Sequence, residues 1–109
     1  MLRAEKPEAL APVFAALGDA TRLKIVALLC AGGAFSIAQL TANTDISRQA
    51  VTKHLQVLAE AGVVRDVKLG RERLWELESQ KIEAARLALD AIGRQWEKAL
   101  GRLKVYLEG

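Results

Sequence analysis

Two serines eleven positions apart, Ser36 and Ser47, each separate an apolar residue from a short amphipathic stretch, and this repeat constrains the 109-residue chain most. Phe35 and Leu40 bracket the first serine and Ile46 and Val51 the second, the spacing of a hydrophobic staple across a helix start. A short helix is predicted after Ser36, with Ile37, Leu40 and Thr41 on one side. A longer one is predicted after Ser47. There Ala50, Val51, Leu55 and Leu58 face inward, and Arg48, Gln49, Thr52, Lys53 and Gln56 face outward. Asn43 is expected to close the first helix in the left-handed conformation and Gly62 to stop the second, with Thr44, Asp45 and Ile46 as the turn between them. Two short helices joined this way make a helix-turn-helix.

Beyond Gly62 the period changes. Val63, Val67 and Leu69 alternate with Arg65 and Lys68, and Trp75 and Leu77 alternate beyond Gly70, Arg71 and Glu72, which predicts a β-hairpin with a basic tip. Ahead of the helix-turn-helix, Pro7 starts a helix with Leu10, Val13, Phe14 and Leu17 on one stripe, ended by Gly18. Asp19 then caps a helix with Leu17 and Leu23 as its staple. In that helix Leu23, Ile25, Val26, Leu28, Leu29 and Cys30 surround most of the circumference, so it is expected to be central and buried, with Cys30 a small core residue. Gly32 and Gly33 break the chain after it.

Ser79 opens the last helix, where Ile82, Ala85, Leu89, Ile92, Trp96, Ala99, Leu103 and Tyr106 recur at alternate spacings of three and four, a heptad seam. From Gln80 to Leu107 it would run about 42 Å, longer than so small a domain can cover alone. A partner is needed, most simply a second copy. The expected fold is mainly α with a small β-hairpin: four helices, two strands and a fifth helix, in one domain spanning 1–109.

Composition narrows the function. The chain is 51% hydrophobic and 27% charged, which places it with globular rather than disordered chains. Its longest nearly uncharged apolar stretch, Ile25 to Phe35, is too short to span a bilayer. Glu5, Glu8 and two prolines occupy the first dozen positions, where a secretory leader would be basic and then apolar, so a cytoplasmic location is expected. One cysteine and one histidine, Cys30 and His54, preclude an internal disulfide, a zinc finger and an iron-sulfur cluster. The net charge of +3 is uneven. Residues 1–46 and 74–109 are each neutral. Between them Arg48, Lys53, Arg65, Lys68, Arg71 and Arg73 stand against only Glu60, Asp66 and Glu72, which supplies the whole surplus.

In element order the chain resembles the arsenic-repressor (ArsR/SmtB) family of bacterial winged-helix regulators. LGDATRLKIVALL (Leu17 to Leu29) is similar to the family's second-helix signature, ISRQAVTKHLQVLAEAGVV (Ile46 to Val64) to its recognition helix, and KLGRERLWEL (Lys68 to Leu77) to its wing. The resemblance implies a symmetric homodimer that represses transcription by occupying operator DNA, joined mainly through its first and last helices. On this chain 7–17 and 80–107 would be the dimerisation helices, 36–62 the helix-turn-helix and 63–78 the wing.

A recognition helix enters the major groove N-terminus first, so its first two exposed turns reach base edges. Arg48 is suited to a bidentate pair with guanine and Gln49 with adenine, and Thr52 to a base or a thymine methyl. Ser47 and Lys53 are better placed for phosphate, Ser47 also being a helix cap. His54 has two readings, a contact near the DNA backbone or a satisfied, partly buried histidine. Lys68, Arg71 and Arg73 on the wing would meet the backbone or the minor groove. Arg22 sits in the first turn of a helix, where a cation opposes the dipole, so a phosphate or an ion pair should hold it. Trp75 and Trp96 are expected in the core and the dimer seam, respectively.

Metal-sensing members carry cysteines near the helix that precedes recognition, or carboxylate and histidine ligands on the last helix. Phe35 to Thr44 contains no cysteine, and Ser79 to Gly109 neither histidine nor cysteine. Redox members use two cysteines. A regulator without metal or other cofactor is therefore expected, controlled by its abundance, an organic ligand or a partner protein. The competing reading is a winged helix used as a protein-interaction module, against which the charge of the recognition helix argues. No nucleophile with its base, paired carboxylates or phosphate loop points to an enzyme.

Overall fold

The computed structural model describes residues 6–109, so the first five residues of the expected 1–109 domain lie outside the described residues. A 3-10 turn, Pro7–Leu10, leads into α1 (Ala11–Leu17), followed by α2 (Ala20–Gly32), β1 (Ala34–Phe35), α3 (Ile37–Ala42), α4 (Arg48–Glu60), β2 (Val64–Leu69), β3 (Glu72–Leu77) and α5 (Ser79–Glu108). This is the expected order with two differences. The first helix begins as a 3-10 turn and starts again at Ala11, with Pro12 in its opening turn, where the missing N–H costs nothing. A two-residue strand also pairs Ala34 with Glu76 and Phe35 with Trp75, giving a three-stranded antiparallel sheet of order β1-β3-β2.

The helix caps follow from their side chains. Asp19 accepts from the Arg22 N–H at 3.0 Å and Ser47 from the Ala50 N–H at 3.1 Å. Ser36 and Gln39 form a reciprocal capping box. Asn43, expected to be left-handed, stays at φ −102, because its amide instead donates to the Gln39 carbonyl at 2.8 Å. Ser79 is the first residue of α5 and does not cap it; Glu78 holds that position without a side-chain hydrogen bond. Gly62 (φ 79) ends α4. Gly70 (φ 64) precedes Arg71 in the two-residue hairpin loop, where only the first residue has positive φ, as a type II′ turn requires.

One core joins the elements. Leu10, Val13, Ile25, Leu29, Leu40, Val51, Leu55, Leu58, Val63 and Trp75 meet in it, and α5 reaches it through Ala84, Ala85 and Ala88. Three residues expected inside are outside. Cys30 is exposed, and Leu23, at 51% accessibility, does not complete its staple, because α2 packs on α1, α4, β1 and β3 and leaves one side open. Leu69 is 65% accessible, because only the root of the hairpin lies on the core.

Candidate nucleic-acid interface

The two exposed turns at the start of α4 present one continuous face. Ser47, Arg48, Gln49, Thr52, Lys53 and Gln56 line a single shallow concavity on it. Its position follows from the buried side: Val51, Leu55 and Leu58 are fully buried and dock α4 on α2 and α3, which turns the polar residues outward. Ser47 satisfies one backbone donor and leaves the positive end of the helix accessible. The Thr52 hydroxyl donates to the Arg48 carbonyl at 3.0 Å. Gln56, read as outward but not as part of the site, belongs to this face by the same helical spacing that exposed it.

His54 does not join them. At the helical period it falls on the far side of α4 from Gln49 and Gln56, where its Nδ1 lies 3.3 Å from an Arg22 guanidinium nitrogen. The Arg22 Nε donates to the Ala16 carbonyl at 2.6 Å, while Asp19 accepts from the Arg22 backbone N–H. That N–H bond, and after it the charge of Arg22, holds the Asp19 carboxyl below the usual carboxylate range. Arg22 is thus held by a carbonyl and an imidazole rather than by the ion pair or phosphate expected of it.

On the wing, Arg71 and Lys68 are exposed and make no ion pair among the described residues. Arg73 differs. Its Nε donates to Asp66 at 2.8 Å, and its guanidinium lies 5.2 Å from the centre of the Trp75 ring. Register explains the pairing, since Lys68 opposes Arg73 and Asp66 opposes Trp75, putting all four on one face of the hairpin. Arg65 pairs with Glu76 at 2.8 Å, which removes another cation of the middle segment from the exposed surplus. Among the described residues no group of three or more His, Cys, Asp or Glu is arranged to hold a metal ion, and no helix is long and apolar enough to cross a membrane.

Comparison with known proteins bears on this geometry. The description "Helix-turn-helix domain" matches residues 17–67. An HTH-type transcriptional regulator of Mycobacterium tuberculosis, Rv2034, is 39% identical over 85 residues, covering 78% of this chain and 76% of its own. The solved structure of an ArsR-like transcriptional regulator from Rhodococcus sp. RHA1 superposes with a TM-score of 0.75 at 37% identity, covering 89% of this chain and 91% of its own. The chain belongs to the ArsR family of transcriptional regulators. The arsenical resistance operon repressor of Escherichia coli is more distant, 29% identical over 90 residues that cover 66% of this chain and 77% of its own. The fold, with α3 and α4 followed by the β2–β3 hairpin, is a winged helix-turn-helix.

Proposed function

We propose that this ArsR-family regulator is a cytoplasmic homodimeric repressor that reads a palindromic operator with α4 and clamps it with the wing, without a metal, another cofactor or an enzymatic activity. The observation that carries the reading is the separation of α4 into a fully buried apolar side and one exposed polar face bearing Arg48, Gln49, Thr52 and Lys53. Arg48 and Gln49 are of the residue types that pair bidentately with guanine and adenine, while Ser47 and Lys53 suit phosphate. Lys68 and Arg71 would supply attraction that does not depend on sequence, and Arg73 less of it, being shared with Asp66.

The second copy is supported by α5. Beyond Ala88 it carries Leu89, Ile92, Trp96, Leu100, Leu103 and Tyr106 exposed, a stripe far longer than a lone soluble chain leaves in water. Two copies related by a twofold axis require a twofold-related DNA site. Control without metal rests on the presence of one histidine and one cysteine in the whole chain. An organic ligand or a protein is the kind of inducer left.

Selection from random-sequence duplexes tests the reading. The expected result is an enriched inverted repeat, its half-sites about one helical turn apart, bound by a species of twice the chain mass. Recovery of no preferred sequence at low salt would overturn it in favour of a protein-interaction module.

A further inference from the structure

The contacts that join α4 to α2 are almost all apolar, and apolar contacts resist separation far more than sliding. One polar tie is directional. Arg22 is bonded at once to the end of α1, through the Ala16 carbonyl, and to the middle of α4, through His54 Nδ1, while its own backbone N–H is capped by Asp19. We propose that Arg22 is a positioning residue for the recognition helix, acting through His54, and that neutral His54 is required for full DNA affinity. The inference rests on the DNA-binding reading above.

A guanidinium has donors and no acceptor, so the imidazole that meets it must offer a lone pair at Nδ1 and carry its proton on Nε2. Adding a second proton removes that acceptor and sets two cations against each other. The surroundings offset this only in part. α1 and α3 contain no titratable side chain, and β2 directs Arg65 to Glu76 and Asp66 to Arg73. Lys53 lies on the outward face of α4. Two carboxylates are near among the described residues: Asp19, whose attraction reaches the imidazole, is engaged as the cap of α2, and Glu60 lines the same hollow as Arg22. A protonated imidazole therefore loses Arg22 or draws on Asp19, and either change removes the polar tie that fixes α4 against α1 and α2 while the apolar contacts remain.

The sign is opposite to that of a histidine facing phosphate. Such a histidine gains affinity for DNA on protonation, whereas one held by Arg22 loses it. His54 is the only histidine, so the chain reports on it without competition from another. Binding to the selected duplex from pH 7.5 to 5.5 at fixed ionic strength, the range in which histidine ordinarily titrates, reads the difference. Wild-type affinity should fall about tenfold, the scale of one lost hydrogen bond to a charged group. His54→Asn, whose amide oxygen sits near the position of Nδ1 and does not titrate, should bind within about threefold of wild type at pH 7.5 and stay flat. Arg22→Lys, whose single ammonium cannot serve both acceptors, should be weaker at pH 7.5 and nearly flat.

Thermal midpoints over the same series separate loss of positioning from loss of fold. If His54→Asn fails to fold, the wild-type profile still decides: affinity that rises or holds steady on acidification overturns the proposal. A fall shared equally by wild type and His54→Asn overturns it too. Failure of the wild type to bind any duplex at pH 7.5 would count against the DNA-binding reading itself.

Discussion

The fourth and fifth helices, α4 and α5, are both amphipathic, yet they end in opposite situations. In α4 every large residue of the apolar side except the flanking Val57 is buried, and Leu55 has no accessible surface. In α5 burial stops at Ala88, and Trp96 and Tyr106 stand at 63% and 83% accessibility. The cause is length. A 13-residue helix fits beneath the rest of the chain, whereas a 30-residue helix, about 45 Å at the usual rise, projects beyond it and stretches the molecule to 66 Å along its longest axis. Periodicity identifies an apolar side; only the size of the remaining fold determines whether the same chain can cover it.

Truncating each side separates the two cases, and here the largest effect is expected. Leu55→Ala leaves a cavity under α4 and should cost about 2 to 5 kcal/mol in a denaturant titration, whether protein is dilute or concentrated. Trp96→Ala should lower stability only at concentrations where the wild type is paired, because in a lone chain that ring touches little. The thermal midpoint of the wild type should accordingly rise with concentration. A midpoint independent of concentration, with Trp96→Ala silent throughout, would break the contrast and leave α5 without its second copy.

The same contrast explains what could be read in advance. The caps at Asp19, Ser36 and Ser47, the stop at Gly62 and the hairpin at Gly70 and Arg71 were legible because each is a local arrangement of a few residues. The family followed from three such segments in order. Cys30, Leu23 and Leu69 were misplaced because their apolar character is local but their covering is not. β1 has two residues, too few to show a period, and exists because Phe35 meets Trp75 in β3. The Arg22 to His54 contact joins positions 32 apart, and no spacing rule reaches that far. Gln56 was within reach, since the turn that exposes Gln49 and Thr52 exposes it as well.

A smaller effect sharpens the comparison of α4 with the wing. Arg48→Ala should cost about 1 to 3 kcal/mol on the selected duplex and little on a scrambled one, since a base-edge contact is what it would lose. Arg71→Ala should weaken both duplexes together and lower the salt slope by about one unit. Arg73→Ala should lower the slope less than Arg71→Ala, because Asp66 already neutralises part of its charge. Competition binding at several salt concentrations measures all three. If Arg71→Ala altered sequence preference while Arg48→Ala weakened every duplex alike, reader and clamp would exchange places.

The smallest effect concerns how the helices begin. Ser36 accepts from the Gln39 N–H at 3.1 Å and Gln39 returns the bond to the Ser36 N–H at 2.9 Å, so both donors at the start of α3 are satisfied by side chains. α3 has only six residues, too few to hold a helix by propensity, and it supports α4 from one side. Ser36→Ala should therefore cost about 1 kcal/mol of stability. At the start of α5 no side chain caps the backbone, and Ser79 lies inside the helix, exposed. Ser79→Ala should change stability by only a few tenths of a kcal/mol, as an exposed substitution to a better helix former does. Equal losses from the two serines in the same denaturant titration would mean that α5 depends on its first turn as α3 does, and that its length does not make it the more autonomous helix.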